Sequence, residues 1–496
     1  MRIAFIIYLI LLAQLGFCQN SISYKIKYKS DFNIEGIPIE VKYDLDNPVS
    51  YFDYYFSNHN WGEDGLFACI SIKDEENPGI HAEMKPEDNR IRIYYDKPTL
   101  NVGFTYRIKQ DYKEPAHRIF SRPRVNNSFF HIPGKSFFVV PETFIHQSDD
   151  TIFEFKTEWV DFPSDYLIHN TFYSQEQNKT VLTRLWDGWY NSLFVGGDYR
   201  IYSFSYKNSS LFFAIRDSWY QGFTDEFLLS VFKGAVFSQR EFWQDQPIDY
   251  YTFIMTPTVS QSDSMFNGFS YKGSALRNGF MLHGTNNPFN NKETIKHLMH
   301  HEMMHHWIGG RIPIQNEELN YWFSEGFTDY LAYKNRLRVG DISFQEWQDI
   351  LNRKILSELW KNPEKNTPNY RIKDSYWTNN FIQLLPYQRG AVFAFWLENR
   401  ILLKSNYERS LDDLMRELLK KCTQTKVLFN DHLFLDTVNE YLNEDIRWLF
   451  EKHIICGEDI DLISQDWING VIWYAKDGIP QIKIEPSSIK RFLGNH

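Results

Sequence analysis

Between Ser21 and about Tyr206 apolar residues recur at every second position, whereas from Thr294 to Cys456 they recur every three to four. A period of two puts alternate side chains on one face of a strand, and a period near 3.6 lines one face of a helix. A chain that switches period midway needs a β part followed by a helical part. Ile22, Tyr24, Ile26 and Tyr28 alternate with Ser and Lys, and similar segments recur at 39–43, 91–95, 137–140, 151–159 and 199–206. Turn clusters such as Asp46-Asn47-Pro48 and Asn77-Pro78-Gly79 separate them. Repeated short strands of this kind predict a β-sandwich. A helical window over 225–241 and a strand over 250–255 precede the helical stretch, which places the boundary near residues 208–216. The expected organisation is multi-domain α+β: a β-sandwich over 19–212, a mostly helical domain over 213–460 and a tail over 461–496.

Composition narrows the class further. The 496 residues are enough for several domains. With 43% hydrophobic and 23% charged residues, the chain is neither disordered nor of low complexity. A net charge of -10 without long Lys/Arg runs excludes a general nucleic-acid or anionic-membrane binder. Arg2, an apolar run from Ile3 to Leu12 and then Gly16-Phe17-Cys18 form the pattern of a secretory signal peptide over residues 1–18. Export to the periplasm or the exterior is therefore expected. That apolar run is too short to span a bilayer and no later one reaches eighteen residues, so no transmembrane segment is expected. Leu15 and Cys18 have the spacing of a lipoprotein signal, but the bulky Phe17 favours simple cleavage, with lipid anchoring at Cys18 as the alternative. Cys69, Cys422 and Cys456 are expected as buried thiols, a Cys422–Cys456 disulfide being the other option.

The segment richest in chemistry is His301-Glu302-Met303-Met304-His305. Asn290 with Glu293 predicts a capping box that starts a helix, and Gly309-Gly310 ends it. On a helix, residues four apart share a face, so His301 and His305 aim both imidazoles at one point while Glu302 reaches the same cavity. Two neutral nitrogen ligands beside a carboxylate that can take a proton from water make a zinc arrangement. The bland alternative, a solvated His-rich face, would also have to accommodate His297, His300 and His306. Catalytic zinc needs a third protein ligand and an open position. Glu325, separated from His305 by nineteen residues and at the start of another helical pattern, supplies it. Glu317 and Glu318 are rivals in a polar loop. Asp329, one turn beyond Glu325, is placed to accept a hydrogen bond from the outer nitrogen of a ligand histidine. Pro386 before Tyr387 predicts a helix start; a tyrosine there is by default a surface or core residue, and a hydroxyl facing a developing oxyanion is the other option.

His301–His305 with Trp322–Tyr330 resembles the gluzincin metallopeptidases, which include the alanyl aminopeptidase and leukotriene hydrolase branch and thermolysin. Locally the likeness is to the glycyl aminopeptidase family. It runs through His305-His306-Trp307, Arg311-Ile312, Glu325-Gly326-Phe327-Thr328, Ser410-Leu411-Asp412-Asp413-Leu414-Met415-Arg416 and the segment from Phe450 to Asp459. It spans roughly residues 190–460 and implies a β domain followed by a thermolysin-like, mostly helical catalytic domain. Tyr387 matches the family tyrosine that stabilises the tetrahedral intermediate. Two departures stand out. The 36 residues after Ile460 are too few for that family's PDZ domain. Where related aminopeptidases carry an amine-binding Glu, the sequence reads Gly273-Ser274-Ala275-Leu276-Arg277-Asn278, and no Asp or Glu occurs between Ser264 and Glu293. Arg277 at that position favours a carboxylate over an ammonium.

The expected function is that of a zinc metallopeptidase with one Zn²⁺ per chain. His301, His305 and Glu325 are the expected ligands, Glu302 the general base, Tyr387 the oxyanion partner, Asp329 the outer-shell partner and Arg277 a substrate contact. The expected partner is a peptide or protein, without the usual amine anchor. The alternatives are a catalytically silent peptide- or glycan-binding protein, or a zinc hydrolase of esters or epoxides.

Overall fold

The computed structural model describes residues 20–60, 63–113, 121–220, 222–245, 248–259, 268 and 270–493. The expected signal peptide and Cys18 lie outside them. The chain forms two compact units: Met1–Thr224 with Pro247–Asn290, and Asp225–Gln246 with Asn291–His496. The backbone thus passes between units three times, where a single crossing near residue 212 was expected.

In the first unit the strands that matter are β1 (Ser21–Lys27), β2 (Ile37–Tyr55), β3 (Arg90–Ile108), β4 (Phe129–Pro133), β5 (Phe153–Val160), β6 (Leu167–Asn170), β7 (Asn178–Thr183), β8 (Leu193–Gly197), β9 (Arg200–Tyr206), β10 (Ser209–Ile215), β11 (Tyr250–Val259), β12 (Tyr271–Leu276) and β13 (Gly279–Thr285). The largest sheet runs β7-β5-β1-β2-β3 and continues with the short strand Ile70–Ser71. Its register sets Tyr24 between Val41 and Thr157, so Ile22, Tyr24 and Ile26 point inward and the intervening Ser and Lys residues outward. A second sheet, β6-β8-β4 with Arg124–Val125, has its strands β4 and β8 buried on both faces. Alternation then serves two cores. Phe130, Ile132 and Phe194 join the core of the large sheet, while Phe129, Leu193 and Val195 join a smaller core with Ala214, Ile254 and Met281. Those last residues belong to a third sheet, β9-β10-β11-β13-β12, in which β10, β11 and β13 run parallel. The expected two-layer sandwich is therefore part of a stack that also contains β9 and β10.

The second unit carries α1 (Asp225–Trp243), α2 (Lys292–Met304), α3 (Gly326–Arg338), α4 (Asn380–Lys404), α5 (Leu411–Thr425) and α6 (Asp431–Leu442). Trp322 sits at the centre of an aromatic core with Phe323, Phe327, Phe393, Phe434 and Phe450. Helices α3 and α4 meet at Gly326 and Gly390. A Cβ on Gly390 would lie 1.9 Å from the Trp322 carbonyl oxygen, and one on Gly326 2.4 Å from the Gly390 Cα. Only glycine permits that approach. Residues 461–493 are no loose tail. The hairpin β14 (Val471–Lys476) and β15 (Ile479–Ile484) is held by the Asn352 side chain, which bonds both the N–H and the C=O of Ile482. Phe492 is fully buried against Phe395 and Trp347. No disulfide joins Cys422 to Cys456. Cys69 and Cys422 are buried as expected, whereas Cys456 is exposed.

Candidate metal centre

Helix α2 starts one residue later than the expected box. Asn291 is the cap and accepts from the Thr294 N–H, while Glu293 pairs with Lys296 and Arg336 instead. The helix is set among α1 side chains: Gln239 donates to the His300 carbonyl, and the Trp243 indole N–H points at the Met304 sulfur at 3.2 Å. His301, Glu302, Met303 and Met304 are all buried. The chain leaves α2 at His305, which keeps helical dihedrals, so its imidazole stays on the face of His301. Glu325 joins the short helix Tyr321–Ser324 to α3 and is also helical, so Asp329 follows on the same face one turn later.

Three donor atoms converge. His301 Nε2 lies 3.1 Å from His305 Nε2 and 3.2 Å from Glu325 Oε2, and His305 Nε2 lies 3.6 Å from the same Oε2. A tetrahedral zinc with bonds of about 2.0–2.1 Å requires ligand atoms about 3.3 Å apart. The tautomers fit as well. His301 Nδ1 faces Asp329 Oδ1 at 3.2 Å and His305 Nδ1 faces the Ile308 carbonyl oxygen at 3.2 Å. Both partners only accept, so both Nδ1 atoms carry the hydrogen and both Nε2 lone pairs point at each other and at a carboxylate. Such a cluster of lone pairs is stable only around a cation. Without a metal that cation is a proton: burial opposes it, yet Asp329 and Glu325 raise the His301 pKa to about 10. Burial likewise works against ionised Glu325 and Asp329, but the imidazoles around them hold both carboxyls well below the usual range. The donor set of two nitrogens and one oxygen suits zinc.

Tyr387 reaches this centre from α4, its ring 5.9 Å from that of His301. It does not head the helix. α4 begins at Asn380 under an Asn379 cap, and Pro386 falls inside it. Burial, with the adjacent Glu325 charge, raises the Tyr387 pKa and keeps its hydroxyl protonated. Glu317 and Glu318 are exposed, and neither belongs to a metal-competent cluster among the described residues. Arg277 lies in the other unit, exposed at the two-residue turn between β12 and β13, with its backbone N–H donating to the Asn191 carbonyl. Sequence reasoning missed two features. The Ile308 carbonyl is a backbone group and leaves no residue signature. His297, noted only as part of a His-rich face, turns its Nε2 toward Asp329 at 2.6 Å.

Residues 237–453 match the model of the peptidase family M1 domain. No curated protein matches the chain in sequence. Among solved structures, an aminopeptidase N family protein from Idiomarina loihiensis is similar at 17% identity, over 91% of this chain and 79% of its own, with a TM-score of 0.68. An M1 zinc metallopeptidase from Deinococcus radiodurans is similar at 10% identity, over 89% of this chain and 95% of its own, with a TM-score of 0.53. A mutant of that enzyme with a bound Tyr-Ser-Ala substrate matches over the same shares at 11% identity and a TM-score of 0.53. At such identities the solved structures speak for the fold, and the family model speaks for the helices around the triangle of donor atoms. Family model and metal geometry thus meet on one stretch of sequence: residues 237–453 carry a peptidase family M1 domain, and the enzyme is a zinc metallopeptidase.

Proposed function

We propose that this peptidase is exported, that His301, His305 and Glu325 hold its single zinc ion, and that Glu302 is the general base. Zinc in such a site acidifies a water at its open position and polarises the carbonyl of the scissile bond. Glu302 follows His301 directly on α2 and is buried beside the ligands. Its role is to take the proton of the attacking water and return it to the leaving amine. The protonated Tyr387 hydroxyl donates to the oxygen on which negative charge develops. The observation that carries the reading is the triangle of donor atoms at 3.1, 3.2 and 3.6 Å with both Nδ1 hydrogens committed elsewhere. Glu302→Gln tests it, because an amide cannot accept the proton. Zinc content should stay at one per chain while turnover of quenched peptides falls by at least about 10²-fold. A variant retaining more than about a tenth of the wild-type rate would exclude general-base work by Glu302.

Export is supported by the Arg2–Cys18 pattern. The substrate reading rests on the sequence: no Asp or Glu occurs between Ser264 and Glu293, where related aminopeptidases carry an amine-binding Glu. Arg277 at an exposed turn remains well hydrated, so its preference for acidic substrates is a weak, salt-sensitive one. A free-amine peptide and its N-acetylated twin should be cleaved at similar rates. A strong preference for the free amine would place an amine anchor elsewhere.

A further inference from the structure

The metal centre continues one helical turn beyond its ligands. His297, His301 and His305 lie four residues apart on one side, and Glu325, Asp329 and Tyr333 lie four apart on the other. The two ladders run antiparallel. His305 and His301 meet Glu325, His301 and His297 meet Asp329, and the His297 ring lies flat on Tyr333, centroids 3.7 Å apart and planes 6° apart. Asp329 Oδ1 receives both His297 Nε2 at 2.6 Å and His301 Nδ1 at 3.2 Å. The His297 Nδ1 is buried without a hydrogen-bond partner among the described residues. A bare lone pair is the less costly group to leave there, so the hydrogen sits on Nε2 and is donated to Asp329.

We propose that His297 is a positioning residue for the zinc centre: clamped on Tyr333, it locks the Asp329 carboxylate in the rotamer that holds the His301 ring with Nε2 toward the metal. This rests on the ligand assignment of the preceding section. A carboxylate with one donor can swing about its Cα–Cβ bond, and a second donor on the same oxygen, itself fixed by stacking, removes that freedom. His297, His301 and Asp329 also lie close enough to hold a cation of their own. That arrangement would strip the Nδ1 hydrogen from His301 and make its ring bridge two metals, which both existing hydrogen bonds to Asp329 oppose.

Three variants of the full chain separate these cases. His297→Phe keeps a ring on Tyr333 and removes the donor, His297→Leu removes the donor with less volume should Phe not be accommodated, and His297→Gln restores an N–H. Zinc affinity measured by competition with a chromophoric chelator should fall about 10- to 100-fold in the Phe and Leu variants, the usual loss for an outer-shell partner. It should recover in part in the Gln variant. The melting temperature of the metal-free protein should barely move, and the loaded Phe variant should lose kcat rather than gain KM. An unchanged zinc affinity without the donor overturns the inference. So does a loss shared equally by Gln and matched by a fall in the metal-free melting temperature, which would mean a structural role alone. Two zinc ions in the wild type, one lost on substitution, would make His297 a ligand instead. A wild type that binds no zinc would overturn the ligand assignment, and this inference with it.

Discussion

Two acceptors orient the imidazoles of the proposed ligands: the Asp329 carboxylate for His301 and the Ile308 carbonyl for His305. The first was legible because an acid one turn beyond the ligand Glu must share its face. The second was not, because any residue at 308 has a carbonyl. The role proposed for Tyr387 comes from resemblance alone, since a lone tyrosine beside a proline means little. Its neighbours explain why it can act. The Glu325 charge and burial keep the phenol protonated, which is the state that can donate to an oxyanion. Tyr387→Phe should therefore lower kcat by about 10²–10³-fold with KM nearly unchanged, because the donor acts on charge that appears only in the transition state. Steady-state kinetics on one quenched peptide read this directly, and a pure KM effect would contradict the role.

At the scale of elements, the helices bearing the site are fastened in two ways. The glycine contact at Gly326 and Gly390 sets how closely α3 and α4 approach. Deeper in, Lys334 on α3 is fully buried and pairs with Glu398 on α4 and with Asp412 on α5 at 2.6 Å, while Tyr330 and Arg338 satisfy the remaining oxygens. Sequence patterning could not reveal this, because charged residues at those positions read as solvated helix faces. Pro386 misled for a related reason. Proline favours a first turn, but here the Asn379 cap, whose side chain accepts from the Phe381 and Ile382 N–H groups, starts the helix two turns earlier. Lys334→Met should cost about 3–5 kcal/mol in chemical denaturation, because it strands buried carboxylates. Replacing Glu398 with Leu in the same chain should recover part of that loss. Equal stability of Lys334→Met and wild type would show the network to be dispensable.

Over the whole molecule, the switch from period two to period 3.6 foretold a β part and a helical part. It could not show the third sheet. Strands buried on both faces, such as β13 there and β4 and β8 in the second sheet, lose the contrast with solvent that marks a half-exposed strand. That middle position also buries polar groups. His131 on β4 and His283 on β13 face each other through their Nε2 atoms at 2.8 Å, and the His131 Nδ1 contacts the Thr256 hydroxyl at 3.0 Å. Burial depresses both, His283 to about 3, with Arg124 adding to the effect. An unfolded chain protonates these rings near pH 6.5, so each contributes stability that is complete above that pH. That contribution is lost progressively as pH falls toward 3. Melting temperature followed from pH 7 to pH 4 should decline, and the decline should flatten in His131→Gln/His283→Met. An identical slope in the double variant would assign acid sensitivity to other groups.

The measurement closest to the central claim is metal content. Purified wild-type protein should carry one zinc per chain, and His305→Ala combined with Glu325→Ala should carry none while keeping the far-ultraviolet dichroism of the folded chain. Stoichiometric zinc retained by that double variant would contradict the assignment of His301, His305 and Glu325 as the metal site.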